Sequence, residues 1–195
     1  MRETTDTREL LVRNGALLEG HFLLSSGLHA QYYVEKFRII EKPDLASSLC
    51  SQIVQHFADR NPDVVAGPTT GGAILAFEVA RQMGLRSIIA EPAPTGGREF
   101  RRGFEIKPGE RVLIVDDVMT TGGSVKDTIE AVNQLGGNVV GVGLLVDRSG
   151  GKVDLGVDYW STITLDIPTY DPEVCPLCSA GVPITKRGTS AKVNP

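Results

Sequence analysis

The sequence has few cysteines, no excess of basic charge and no long apolar run, and each shortage excludes a class of protein. Its three cysteines are an odd number, which argues against a disulfide framework and fits a reducing compartment. A net charge of −4 disfavours nucleic acid as the main partner. No apolar run approaches the roughly 20 residues that span a bilayer, and the polar N-terminus lacks a signal-peptide pattern. We therefore expect a cytoplasmic protein with no nucleic-acid or membrane partner.

Strands and helices alternate through the middle of the chain. The chain has 195 residues, 41% hydrophobic and 23% charged, which suits one globular domain with a real core. Apolar strands are predicted at residues 63–66, 87–90, 112–115 and 139–146, and helices at 43–57, 74–84 and 124–135. Because these strands are apolar throughout, they predict an α/β fold with a central parallel sheet flanked by helices.

The two ends of the chain and one internal segment break this alternation. We expect an N-terminal hood over about residues 1–42, with a helix at 7–18 and one or two short strands at 21–40. The core then covers about 43–168, and the tail at about 169–195 is expected to be peripheral. The segment from Glu91 to Gly109 is rich in Gly and Pro and fits no element, so we interpret it as a functional lid or a disordered loop.

The strongest motif joins the strand at 112–115 to the helix at 124–135. Asp116 and Asp117 follow the strand, and then come Val118, Met119, Thr120, Thr121, Gly122, Gly123 and Ser124. Ligands of open α/β sheets bind at this strand edge, where glycines and a helix N-terminus favour a phosphate. Carboxylates beside a phosphate suit a ribose diol or a Mg²⁺ that keeps its waters. The sequence lacks the G-x-G-x-x-G and G-K-[ST] fingerprints of dinucleotide folds and P-loops.

Residues 112–124 resemble the phosphoribosyl pyrophosphate signature of type I phosphoribosyltransferases. The resemblance implies that Asp116 and Asp117 hold the ribose hydroxyls and that Val118–Ser124 wraps the 5′-phosphate. It also implies Mg²⁺ as cofactor, bound near the two acids through substrate and water with no firm direct protein ligand.

Three further segments resemble the orotate phosphoribosyltransferases within that superfamily. They are residues 20–33, similar to the family's hood; 67–72, similar to its pyrophosphate loop; and 145–148, similar to its substrate-binding strand end. The resemblance implies that Thr69, Thr70 and Gly71 contact pyrophosphate, and that Arg148 and Thr120 contact orotate. An apolar wall from Tyr33 and Val34 and a cation from Arg148 suit a flat ring with one carboxylate, although Tyr32 or Tyr33 can equally be plain core.

The implied reaction joins orotate to phosphoribosyl pyrophosphate, giving orotidine 5′-monophosphate and pyrophosphate. Family resemblance also implies a homodimer. A purine acceptor is the nearest alternative, but a purine has no carboxylate for Arg148. A regulatory protein that senses phosphoribosyl pyrophosphate is the alternative from another class, and it needs a basic surface or a winged helix.

Two departures from the family pattern concern charged residues. The lysine usually found before Ser-Gly in the hood is Ser25, and no Lys or His lies between Glu91 and Ile106. That segment offers Arg98, Arg101 and Arg102 instead. Arginine stays protonated and cannot donate a proton, so either the chain relies on charge neutralisation or part of the usual loop chemistry is missing. We expect Arg98, Arg101 or Arg102 to neutralise the leaving pyrophosphate by charge.

The cysteines and histidines form no complete motif. Cys175 and Cys178 are a single C-x-x-C, half a zinc site at best, and Cys50 lies on a core stripe and does not complete it. A structural metal formed across a dimer is one possibility. His21, His29 and His56 are scattered, and His29 is either a surface residue or a phosphate contact.

Overall fold

The computed structural model describes residues 7–24 and 26–187, so Ser25 lies outside the described residues. The chain divides into two compact units. We call the residues from Ile39 to Leu165 the core unit. The described residues up to Arg38, together with those from Asp166 onward, are the hairpin unit.

The core unit is built on a six-stranded sheet with the order β5-β4-β3-β6-β7-β8. Its strands are β3 Val64–Pro68, β4 Arg86–Pro92, β5 Arg98–Phe100, β6 Arg111–Met119, β7 Asn138–Asp147 and β8 Tyr159–Thr164. All neighbouring pairs are parallel except β4 and β5. The predicted α/β class with a central parallel sheet is confirmed.

Helices cover both faces of this sheet. They are α3 Pro43–Phe57, α4 Gly71–Met83 and α5 Gly123–Gln134. A short α2 at Phe37–Ile40 precedes α3 in the chain, and a 3₁₀ turn at Ala58–Arg60 follows it. On β7, an added Cβ at Gly141 would meet the ring of Phe57, and one at Gly143 would meet Ile53, so these two glycines let α3 lie close to the sheet. The alternate residues Val142 and Leu144 join the cluster that contains Ile129 and Val132 of α5.

The hairpin unit has a four-stranded sheet with the order β10-β1-β2-β9. Its elements are α1 Thr7–Arg13, β1 Leu17–Leu23, β2 His29–Val34, β9 Thr169–Tyr170, a 3₁₀ turn at Pro172–Val174, α6 Pro176–Ser179 and β10 Thr185–Lys186. The helix predicted for residues 7–18 ends at Arg13, because Gly15 adopts the left-handed conformation with φ +69° and turns the chain. Leu17 and Leu18 therefore belong to β1.

The tail after Pro168, which we expected to be peripheral, adds a strand to each edge of the hairpin. β9 pairs with β2, and β10 pairs with β1. Two-residue strands carry no periodicity, so they could not be predicted from the sequence.

The segment from Glu91 to Gly109 is not a loop throughout. β4 continues to Pro92 and turns back as β5, with Glu91 opposite Glu99 and Pro92 opposite Arg98. A three-residue strand of charged and aromatic residues leaves no apolar pattern to detect. β8 was also missed, because its residues are only partly buried and include Ser161 and Thr162. No helix in the described part of the chain is long and apolar enough to cross a membrane.

Candidate active site

Two buried carboxylates stand near the carboxyl end of β6. Asp116 and Asp117 are 6% and 3% exposed. The amide N–H of Asp117 donates to Asp116 Oδ1 at 2.8 Å, and the amide N–H of Val118 donates to Asp117 Oδ1 at 2.6 Å. Such local bonds fix the direction of each carboxylate.

The start of α4 is packed tightly against both acids. An added Cβ at Gly71 would collide with Asp117 Oδ2, and one at Gly72 would lie 2.7 Å from Asp116 Oδ1. Only glycine leaves room for the carboxylates there. This tight fit holds the pair beside the loop that contains Thr69 and Thr70.

The loop after β6 surrounds a cavity of about 120 Å³, lined by Asp116, Val118, Met119, Thr120, Thr121, Gly122, Gly123, Ser124 and Val125. Gly122 has φ +80°, and a Cβ there would approach Val153 Cγ1 to 2.8 Å. The turn into α5 therefore requires glycine at this position for two reasons, backbone conformation and space. The structure thus brings the whole predicted phosphate loop around one concave site, with the N-terminus of α5 at its base.

Arg98 links the two predicted anion-binding loops. From β5, its guanidinium donates to Ser124 Oγ at 2.8 Å, to the Ala90 carbonyl at 3.0 Å and to Thr69 Oγ1 at 3.4 Å. Ser124 belongs to the phosphate loop and Thr69 to the predicted pyrophosphate loop. A permanent positive charge is therefore held between them.

The other two arginines of this segment have different partners. Arg101 is exposed and pairs with Glu99, and Arg102 is exposed and donates to Glu91 at 2.8 Å. Exposed pairs of this kind contribute little. The structure places one of the three predicted arginines, Arg98, against the loops, and pairs the other two with Glu99 and Glu91.

Arg148 lies next to the phosphate loop at the end of β7. Met119 is the register partner of Asp147, and the amide N–H of Arg148 donates to the Met119 carbonyl at 2.8 Å. Thr120 is the next residue along from Met119. The two residues predicted to contact orotate from the core unit are thus brought to the same sheet edge.

Asp147 organises the turn that carries Arg148, and sequence reasoning gave it no role. Its side chain is fully buried and accepts hydrogen bonds from Ser149 N–H at 2.7 Å, Ser149 Oγ at 2.6 Å and Gly151 N–H at 3.0 Å. Burial and the charge of Asp147 raise the pKa of Tyr159 above its usual value. The available signal was an acid that ends an apolar strand and is followed by Arg-Ser-Gly-Gly.

Tyr33 and Val34, the predicted apolar wall, lie on β2 of the hairpin unit. The Tyr33 ring packs on Phe22 with 5.6 Å between ring centroids. Val34 is 7% exposed and belongs to the buried apolar residues.

Comparison with known proteins places the chain in a family. A model of the phosphoribosyl transferase domain matches residues 40–171. An orotate phosphoribosyltransferase of Caldicellulosiruptor bescii is 52% identical over 177 residues, which cover 91% of this chain and 93% of the relative. The chain belongs to the orotate phosphoribosyltransferase family. A second orotate phosphoribosyltransferase, from Thermotoga maritima, is 48% identical over 93% of this chain and 97% of its own.

Solved structures agree with this membership. The orotate phosphoribosyltransferase of Aeropyrum pernix superposes with a TM-score of 0.70 at 29% identity, over 80% of this chain and 92% of that one. An adenine phosphoribosyltransferase of Thermoanaerobacter pseudethanolicus has a TM-score of 0.60 at 21% identity, over 69% and 88% of the two chains. At that identity the adenine enzyme shares the fold alone, whereas the orotate phosphoribosyltransferases share the sequence as well.

Proposed function

We propose that this protein transfers the 5-phosphoribosyl group from phosphoribosyl pyrophosphate to orotate, giving orotidine 5′-monophosphate and pyrophosphate for UMP synthesis. The observation that carries the proposal is the identity of about half the residues with orotate phosphoribosyltransferases, over more than nine tenths of both chains. The geometry of the site supports a role for each group of residues in this reaction.

The acid pair and the loop after it are proposed to bind the phosphorylated ribose. Carboxylates accept hydrogen bonds from hydroxyls, which assigns the ribose diol to Asp116 and Asp117. Backbone N–H groups and hydroxyls in the loop from Val118 to Ser124 then bind the 5′-phosphate. These contacts align C1 of the ribose with the incoming base, and alignment alone removes a large part of the barrier.

Mg²⁺ is the proposed cofactor. Two buried carboxylates at the mouth of a phosphate loop suit an ion that prefers oxygen ligands and retains waters. When bound, the ion neutralises charge on the pyrophosphate. Asp116 and Asp117 are the residues that would hold its waters or the substrate hydroxyls beside it.

Arg98 is the proposed cation for the leaving group. Negative charge gathers on pyrophosphate as its bond to C1 breaks, and a fixed positive charge stabilises that state without reorganisation. Arg98 spans Thr69 and Ser124, the loops assigned to pyrophosphate and 5′-phosphate. Arg148 takes the orotate carboxylate, because a guanidinium can bind it through two parallel hydrogen bonds.

A homodimer is the proposed assembly. Ile74 and Phe77 lie about one turn apart on α4 and are 44% and 65% exposed, and a second copy of the chain would cover them. Location in the cytoplasm stays a prediction of the composition.

A panel of acceptors tests the proposed reaction. Purified protein with phosphoribosyl pyrophosphate and Mg²⁺ is offered orotate, uracil, hypoxanthine or adenine, and pyrophosphate release is measured. We expect turnover with orotate and none with the purines. The double variant Asp116→Asn/Asp117→Asn serves as the control, and it should keep its thermal stability while losing affinity for phosphoribosyl pyrophosphate in a calorimetric titration. Turnover of hypoxanthine or adenine without orotate would overturn the proposal.

A further inference from the structure

Four side chains of the hairpin unit converge on one point. They are His21 on β1, His29 on β2, Cys175 just before α6 and Cys178 within α6. One ligand atom from each residue lies within 4.8 Å of all the others. The C-x-x-C supplies two of the four possible metal ligands, and the two histidines of the same chain supply the others.

We propose that His21, His29, Cys175 and Cys178 bind a structural Zn²⁺ ion. Two imidazoles and two thiolates are a donor set that zinc takes in closed tetrahedral sites. The proposal is independent of the transferase reaction, because none of the four residues belongs to the groups assigned to substrate.

The distances between the ligand atoms fit a single tetrahedral ion. Zinc bonds of about 2.0–2.1 Å to nitrogen and about 2.3 Å to sulfur place neighbouring ligand atoms roughly 3.3–3.8 Å apart. Sγ of Cys178 lies 3.4 Å from Nδ1 of His29 and 3.8 Å from Nε2 of His21, and Sγ of Cys175 lies 3.6 Å from the same His21 atom. The two imidazole nitrogens are 2.9 Å apart and all four ligand atoms lie within 4.8 Å of one another, so side-chain shifts of up to about 1 Å give the tetrahedral spacing.

The hairpin prepares the two histidines for this role. Leu23 is the register partner of His29, and His21 lies two residues before Leu23, which puts both histidines on one face of the strand pair. His21 Nδ1 lies 2.8 Å from the Val182 carbonyl. A proton donated there leaves Nε2 as a free lone pair facing the cluster, the arrangement that orients metal-binding histidines.

Burial separates the site from ordinary surface residues. His21, His29 and Cys175 are 3%, 7% and 1% exposed, and Cys178 is exposed. Three ligands are thus shielded from water, while the fourth leaves a path by which the ion can enter.

The ion would tie the tail to the hairpin. β9 and β10 contribute only two residues each to the sheet, so backbone pairing holds the tail weakly. A metal shared between residues 21 and 29 and residues 175 and 178 closes a loop of most of the chain. The free energy of metal binding would then add to the free energy of unfolding of the hairpin unit.

Metal analysis of the full-length protein, purified under reducing conditions from zinc-supplemented cells, tests the proposal. We expect one zinc per chain in the wild type and loss of that zinc in Cys178→Ser, a change at the exposed ligand that leaves the buried three in place. Cys178→His keeps a ligand and should retain zinc. Cys50→Ala and His56→Gln are matched controls outside the cluster, and both should keep the wild-type content.

Two further readouts distinguish the outcomes. Cobalt substitution should give the intense visible absorption of a tetrahedral site with a thiolate charge-transfer band, and Cys178→Ser should lose it. Chelation should lower the melting temperature of the wild type and expose the tail to proteolysis, with little effect on Cys178→Ser. Absence of metal from the wild type, a Cys175–Cys178 disulfide in its place, stoichiometric iron, or equal zinc in Cys178→Ser and Cys50→Ala would each overturn the proposal.

Discussion

Arg98 differs from Arg101 and Arg102 in where its guanidinium lies. The sequence predicted that some arginine of this segment serves the leaving group, but three candidates stood within five residues. The choice depends on the pairing of β5 with β4, which directs Arg98 to Thr69 and Ser124. A three-residue strand has no periodicity, so its register could not be predicted from the sequence.

Arg98→Ala is expected to lower kcat for orotate about 10- to 100-fold. A charge-assisted hydrogen bond contributes about 1.5–3 kcal/mol, and this charge matters most as pyrophosphate leaves. Arg98→Lys should recover part of the rate, because it keeps the charge but loses the fork of donors. Arg102→Ala is the matched control, since its exposed guanidinium pairs with Glu91, and its kcat should stay close to the wild type. Steady-state kinetics measure both kcat values. Equal values for Arg98→Ala and Arg102→Ala would show that Arg98 does not stabilise the leaving pyrophosphate.

Arg148→Ala is expected to raise the KM for orotate about 10- to 100-fold, with a much smaller effect on phosphoribosyl pyrophosphate. The reason is that its proposed partner, the carboxylate, is present only on orotate. Asp147→Asn offers a comparison. It weakens the hydrogen bonds that hold the turn, but the chain keeps the Arg148 guanidinium. Asp147→Asn should also raise the KM for orotate, but by less than Arg148→Ala does. An equal rise for both substrates in Arg148→Ala would indicate a general structural role.

At the scale of elements, long segments with a strong pattern were predictable. α3, β3, α4, β6, α5 and β7 all fall where apolar periodicity placed them, because burial on one or both faces dictates their composition. The short or polar elements β5, β8, β9 and β10 were missed. Each is specified by its partners rather than by its own residues.

The contact between α3 and α4 provides a pH-dependent test. Glu78 on α4 accepts hydrogen bonds from Arg81 and Gln82 of the same helix. It also accepts one from Ser47 on α3. The Arg81 hydrogen bond above all lowers the pKa of Glu78 from 4.5 to about 2. A lowered pKa means that the ionised group stabilises the fold above its unfolded pKa, and that this stabilisation is lost as pH falls to about 2.

Glu78→Gln should therefore lower the melting temperature at pH 7, and the difference from wild type should shrink as pH falls from about 5 toward 2. Thermal unfolding across that range measures it. The exposed Glu105 on the same unit supplies the control Glu105→Gln, for which no comparable pH-dependent difference is expected. A constant difference for Glu78→Gln at every pH would show that packing, rather than charge, is lost.

At the scale of the whole molecule, the family was predictable because its motifs are local. The acid pair, the phosphate loop and the strand end before Arg148 each lie within a dozen residues of sequence. The convergence of His21 and His29 with Cys175 and Cys178 was not predictable. It depends on antiparallel register in the hairpin and on a return of the tail across about 150 residues of chain.

Phe77→Asp is expected to convert the proposed dimer to a monomer. A charge on the exposed apolar face of α4 cannot be buried against a second copy without a large desolvation cost. Sedimentation or light scattering at about micromolar concentration measures the mass. Leu135→Asp is the matched control, because Leu135 is also an exposed apolar residue of the core unit and lies outside the proposed face. Identical masses for Phe77→Asp and the wild type would show that the exposed face of α4 does not form a dimer contact.

The strand order β10-β1-β2-β9 has a consequence for how the protein is made. The ribosome releases β1 and β2 early, but the strands that cover both of their edges come last. Throughout translation of the core unit the nascent hairpin has two open edges, the kind of surface that recruits foreign strands. Loss of residues 169–186 would leave both edges open permanently, so the two short tail strands protect the hairpin from pairing with other chains.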